Sequence, residues 1–179
     1  MNLRFYQLSR RPHPARVSIN IVKGDKEVIK QLQAILTQEL TAINQYFLHY
    51  GMMDHRGYER LAHLVRRESI QEMRHAEEIL ERMLYLEGAP DMTSLDPLRI
   101  GKDVHHQLKN DLALETESVH RLNQAIAIAA QAGDNTTREL LEKILLKEEE
   151  HVDFLEAQLH QIGEMGYEQY LAMQMGEED

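Results

Sequence analysis

The sequence predicts an all-α fold: a bundle of four long helices with one long crossover and a short fifth helix at the C-terminus. Three observations predict it. From Asp25 onward, apolar residues recur at spacings of three, four and seven, the period of a helix with one buried face. Gly and Pro cluster at a few places only, and these cut the pattern into four long stretches and a short one. The chain also repeats itself. Glu39 is followed 33 residues later by Glu72-Met73-Arg74-His75, and Glu115 is followed 33 residues later by Glu148-Glu149-Glu150-His151.

Residues 1–24 stand apart. They are basic, contain Pro12 and Pro14, and show no period, which predicts a flexible tail. The other reading is a docking or transit arm, a role that Arg-rich, acid-poor segments fill. The first helix starts at Asp25, a favoured N-cap type, and breaks at Gly57. Leu32, Ile35, Leu36, Ile43, Tyr46 and Tyr50 form its stripe, with Glu39 in the middle. The second runs from about Tyr58 to Leu86. Leu61, Val65, Ile79 and Met83 share the face of Glu72 and His75, and Gly88-Ala89-Pro90 ends it.

Residues 87–102 hold Gly88, Pro90, Pro97 and Gly101, a long connection that requires a reason. Extended, such a stretch reaches about 55 Å. A helix of about 28 residues is about 42 Å long. The connection can therefore travel the whole bundle and start the third helix at the end where the second began. The third helix runs from about Asp103 to Ala132, with Leu108, Leu112, Val119, Leu122 and Ile126 flanking Glu115, and Gly133 caps it. Asp134 or Asn135 starts the fourth, in which Leu141, Ile144, Leu155, Leu159 and Ile162 share a face with Glu148 and His151. Gly163 and Gly166 are expected to close it, and Tyr167 to Met175 forms the short terminal helix. Four long helices with short links and one crossover make a ferritin-like bundle.

Composition narrows the function. The chain has 179 residues, one domain's worth, and we read residues 25–179 as that domain. It has no Cys, so any metal must be held by His and carboxylates, a donor set suited to iron, manganese or zinc. All 30 acidic residues lie at or after Asp25, against 15 basic ones there, a net −15. That charge opposes nucleic acid as a partner and favours cations. No apolar run approaches membrane-spanning length, and the N-terminus lacks the apolar core of a secretory signal, so a cytoplasmic location is expected.

The repeat carries the chemistry. Residues three apart on a helix share a face, so Glu72 projects with His75 and Glu148 with His151. Glu39, Glu72, His75, Glu115, Glu148 and His151 all lie within apolar stripes, where a lone carboxylate costs several kcal/mol. Four carboxylates brought together there repel one another. Two divalent cations remove both costs, and two imidazoles complete the ligands. Two glutamates plus two Glu-x-x-His pairs is the donor set of di-iron and di-manganese bundles. A further Glu-x-x-His, Glu117 to His120, fails the geometry. Glu117 is two residues from Glu115, about 200° round the helix, and points away from the stripe.

At these residues the chain resembles the bacterioferritins, from about Gly24 to Met175. The resemblance rests on Leu40-Thr-Ala-Ile-Asn-Gln-Tyr-Phe-Leu-His49, Glu68-Ser-Ile-Gln-Glu-Met-Arg-His-Ala76 and Glu148-Glu-Glu-His-Val-Asp-Phe-Leu-Glu156. Val22-Lys-Gly-Asp25 resembles the usual Met-Lys-Gly-Asp start, so residues 1–21 are a real extension or a start codon placed too early. The resemblance implies a hollow shell of 24 identical or related subunits, a ferroxidase centre in each bundle and a ferric mineral inside. It implies that Glu39 and His75 serve one iron, Glu115 and His151 the other, and that Glu72 and Glu148 bridge them. Tyr46 matches the tyrosine beside the family's centre. Met73 matches the methionine that ligates haem b at a two-fold interface, one sulfur from each subunit. A small ferredoxin partner for iron release is implied as well. Arg67 and Gln71 depart from the His and Asp that some relatives use for an extra iron on the cavity wall, so that extra site is expected to be absent or altered. Three other readings remain at this point: a haem-free ferritin in which Met73 only packs, a di-iron oxygenase or manganese catalase that stores nothing, and a scaffold subunit of a mixed shell.

Overall fold

The computed structural model describes residues 23–176. Five helices form it: α1 (Lys26–His55), α2 (Glu59–Tyr85), α3 (Val104–Gln131), α4 (Asn135–Met165) and α5 (Tyr167–Met173). The expected flexible tail lies outside the described residues except for Lys23 and Gly24, and the Gly24 N–H donates to the carbonyl of Leu86 at 3.0 Å. Among the described residues no helix is long and apolar enough to cross a membrane.

Local chemistry sets the helix ends. The Asp25 carboxylate accepts from the N–H groups of Glu27 and Val28, Asp103 from His106, and Asp134 from Thr137. Each such cap is worth about 1 kcal/mol. One expected stop is corrected. Gly163 does not close α4, which runs on through it to Met165. Gly166 closes it with φ 83°, a conformation that glycine reaches without the clash of a Cβ. The stripe on α3 also differs. Leu108 and Leu122 are buried, but Leu112, Val119 and Ile126 are only half-buried. The buried line instead passes through Leu114, Ser118, Ala125 and Ala129, small enough at its upper end for neighbouring helices to approach.

α1 packs on α2 and α3 on α4, and the two hairpins meet chiefly through α1 and α3. Between α2 and α3 the crossover runs along α1, tied there by α1 side chains. Gln33 exchanges hydrogen bonds with the backbone of Asp91. Thr41 accepts from the Asp96 N–H at 2.9 Å, Gln45 from that of Arg99 at 2.9 Å, and His49 from that of Gly101 at 3.2 Å. Residues 33 to 49 span about 24 Å of helix. The connection thus travels the bundle, and α3 starts at the far end from the C-terminus of α2.

The core is in two pieces. One apolar cluster includes Leu32, Leu36, Ile79, Met83, Leu122 and Ile144. The other includes Met53, Leu61, Val65, Leu108, Leu155 and Tyr170 of α5. Between them on α1, α2, α3 and α4 sit Glu39, Glu72, Glu115 and Glu148, each at most 2% exposed.

Candidate metal centre

The six residues singled out by the repeat meet in this dividing layer. Their ligand atoms form two overlapping groups, Glu39–Glu72–His75–Glu148 and Glu72–Glu115–Glu148–His151, each with all its atoms within 4.8 Å of one another. Glu72 and Glu148 belong to both. His75 Nδ1 lies 2.9 Å from Glu72, 3.0 Å from Glu148 and 3.7 Å from Glu39. His151 Nδ1 lies 3.0 Å from Glu115 and 3.9 Å from Glu72. The two halves are therefore alike, as the internal repeat requires: one outer carboxylate, one histidine and two shared carboxylates. Tyr46 joins them, its hydroxyl donating to Glu115 and its ring set edge-on to His151 at 5.4 Å. Met73 is not brought in. It lies about 100° round α2 from Glu72, 47% exposed.

The electrostatics of the layer are those of a site made for cations. Burial, then the charges of Glu115 and Glu39, push the Glu72 carboxyl well above the ordinary carboxylate range despite its hydrogen bond from His75. Burial and the charges of Glu115 and Glu72 do the same to Glu148. Burial alone would raise Glu115 too, but the His151 charge and hydrogen bonds from its neighbours hold it at about 2. Burial would depress both histidines. The carboxylates around His75 overcome this and carry it above the imidazole range, and Glu115 raises His151 to about 9. Burial, then Glu115, Asp111 and Glu72, push the Tyr46 phenol well up, so it remains a donor.

The fit to metal can be tested on the polar atoms themselves. Glu39 Oε1 and Glu72 Oε1 are buried without a hydrogen-bond partner, and Glu148 Oε1 and His151 Nδ1 meet only His75 and Glu115 of the same layer, at 3.0 Å. Such groups cost about 1–3 kcal/mol each when unmade, more when charged. All four lie in the layer, and all four belong to the two ligand groups. Oxygen and imidazole donors without sulfur suit iron or manganese.

Several residues here escaped the sequence pattern. Glu68, one turn before Glu72, reaches to 3.9 Å from His151 and lines a surface pocket of about 170 Å³ with Arg67, Gln71, Lys147 and Glu150. Arg67 and Gln71, expected to weaken any extra iron site, thus flank this pocket at the edge of the centre. Buried His49 and Asp111, each one turn from a predicted residue, form a pair at 2.9 Å. Their spacing, three after Tyr46 and four before Glu115, was the signal available for finding them. The discarded motif lies elsewhere: Glu117 pairs with Arg99 at 2.7 Å on the surface.

Comparison with known proteins agrees with this architecture. A model of the ferritin-like domain matches residues 29–165. The bacterioferritin of Mycobacterium bovis is 46% identical over 151 residues, covering 84% of this chain and 95% of its own. That of Mycolicibacterium paratuberculosis is 47% identical with the same coverage, and that of Streptomyces coelicolor is 43% identical, covering 84% and 90%. With that domain matched over most of its length and these relatives 43–47% identical over 84% of it, the chain belongs to the bacterioferritins, a branch of the ferritin-like family.

Proposed function

We propose that this protein stores iron and oxidises it on the way in, a ferroxidase. The observation that carries the reading is the pair of ligand groups sharing Glu72 and Glu148, with buried carboxylate oxygens of Glu39 and Glu72 left unpartnered among them. Fe²⁺ is the substrate. Glu39 and His75 hold one ion, Glu115 and His151 the other, and the shared carboxylates keep them close enough for one oxidant, O₂ or peroxide, to meet both. Four carboxylates balance two divalent ions. Tyr46 orients Glu115 through its hydroxyl. After oxidation the ions pass to a mineral, or stay and relay electrons; whether iron remains bound after turnover separates these routes.

Chains of this family's kind enclose a store by assembling, and we propose a homo-oligomeric shell of 24 subunits in the cytoplasm. At 20.9 kDa each, the shell has a mass of about 0.5 MDa. A small ferredoxin is proposed as the reductant for release. We further propose haem b, held by Met73 from each of two subunits. The residue fits: its thioether is exposed on the outer side of α2 beside exposed Ile70, about 100° from the buried Glu72. Bound haem supplies an electron-transfer group whose potential is raised by thioether ligation.

The test is Glu72→Ala and His151→Ala. Both are expected to lose rapid Fe²⁺ oxidation and still elute at the mass of the shell. Wild-type oxidation rates in either variant overturn the site, and a wild-type protein that elutes as a small oligomer overturns storage.

A further inference from the structure

Below the proposed ligands lies a second polar layer with no place in the donor set. His49 on α1 and Asp111 on α3 are fully buried, 0% and 1% exposed. His49 Nδ1 lies 2.9 and 3.0 Å from the two Asp111 oxygens, and the Gln45 amide donates to Oδ1 at 2.8 Å. The other ring nitrogen, Nε2, accepts from the Gly101 backbone N–H at 3.2 Å. An accepting nitrogen carries no proton. The contact therefore assigns the ring proton to Nδ1, facing Asp111, and makes His49 neutral. Asp111 then receives only donors, from His49 Nδ1 and the Gln45 amide, the bonding pattern of a carboxylate. The pair is not a neutralised ion pair. It carries one uncompensated negative charge into the core.

The chain goes to some length to build this. Gly101 brings the crossover so close to the first turn of α3 that an added Cβ would sit 2.3 Å from the Gln107 nitrogen. Only glycine allows that approach, and the approach delivers the N–H that sets the His49 tautomer. An apolar pair would fill the space at less cost than a buried unpaired charge. Asp111 lies one turn, about 6 Å along the axis, from Glu115. Its charge already acts on Tyr46, which bonds Glu115.

We propose that Asp111 is a positioning residue for charge: held as a carboxylate by a neutral His49, it acts through space on the metal pair, tightening cation binding and favouring the trivalent state. This rests on the metal-centre reading above. The layer's four carboxylates match two divalent ions, but oxidation adds two positive charges that they do not match. A fixed negative charge about a turn away offsets part of that excess, and in a low-dielectric core it is felt at such distances.

The experiment uses the assembled full-length protein. Co²⁺ titration, read by its visible absorption, gives affinity without oxidation, and spectroelectrochemistry of iron-loaded protein gives the potential. Asp111→Asn, nearly isosteric, is expected to bind Co²⁺ on the order of tenfold more weakly. Its potential is expected to rise by about 59 mV, a tenfold change in the ferric–ferrous ratio. His49→Gln keeps an amide donor and the carboxylate, and should stay within about twofold of wild type. Should Asp111→Asn not assemble, Gln45→Lys neutralises the carboxylate in place, and the same losses are expected. Wild-type affinity and potential in the neutralised variant overturn the role of Asp111, as do equal losses in His49→Gln, which would make the layer purely structural. Wild-type protein that binds no Co²⁺ overturns instead the metal centre itself.

Discussion

Replacing Glu72 by Gln should make the metal-free protein more stable and the metal-loaded protein less so. Glu72 is 1% exposed, and one of its oxygens has no partner. Glutamine has the same shape without the charge. Its carbonyl can still accept from His75, and its amide can donate to a carboxylate oxygen of the layer such as the unpartnered Glu39 Oε1. Relieving one unpaired, charge-bearing acceptor is worth about 2 kcal/mol. For a subunit of this size that raises the melting temperature by about 4–8 °C. With Zn²⁺ at a hundredfold excess over its dissociation constant, wild type gains about 2.7 kcal/mol per ion. If the lost bridging charge weakens binding about a hundredfold, the variant gains only about 0.4 kcal/mol per ion at the same concentration. Two ions per subunit then reverse the order. The assay is calorimetry of chelator-treated and Zn²⁺-loaded protein at one concentration and scan rate. A variant less stable than wild type in chelator would refute the reasoning, because the layer would then not be strained by its own charges.

Three further outcomes are expected. Met73→Ala should lose the Soret band of protein grown with sufficient haem, keep Fe²⁺ oxidation, and reveal a wild-type stoichiometry of at most one haem per two subunits; haem retained by the variant would refute the assignment. The stability of metal-free protein should peak in mild acid. Glu72 and Glu148 are raised above 4.5, so the stability of their protonated forms is lost as pH rises through their shifted values. His151 is raised from 6.5 to about 9, so its contribution is full below 6.5 and is lost as pH rises through 9. Glu115, lowered to about 2, contributes fully above 4.5 and loses its share as pH falls from there to about 2. Melting temperatures from pH 4 to 10 check this, and Zn²⁺ should flatten the alkaline fall. Deleting residues 1–21 should leave assembly and oxidation unchanged, measured by size-exclusion chromatography and Fe²⁺ uptake, because no apolar stripe or ligand lies there.

The elements were legible because each long helix carries one buried stripe and Gly or Pro marks its limits. Gly163 misled because glycine inside a helix is costly but tolerated, and only φ distinguishes it from Gly166. The meeting of the four glutamates follows from spacing, since equal offsets on helices of one bundle put equal heights together. The seat of the crossover was not legible. Gln33, Thr41, Gln45 and His49 look like an ordinary polar face, and their partners are more than 50 residues away in the chain. The ionisation of Asp111 was equally hidden. It depends on a tautomer, the tautomer on one backbone N–H, and that N–H on a glycine in an irregular segment.

The division of the core also bears on how the molecule breathes. Amide hydrogen exchange follows local cooperativity, and cooperativity follows contiguous apolar contact. The two clusters are each contiguous, but across the layer between them there is little apolar matter to couple one to the other. Without cations the bundle should therefore open first at its waist, with the ends still closed, and slow-exchanging amides should fall into two separate groups along each long helix. An ion seeking the layer meets the cross-section that yields most readily. Once seated, each ion links three helices and the pair links all four, and the waist becomes the last place to open.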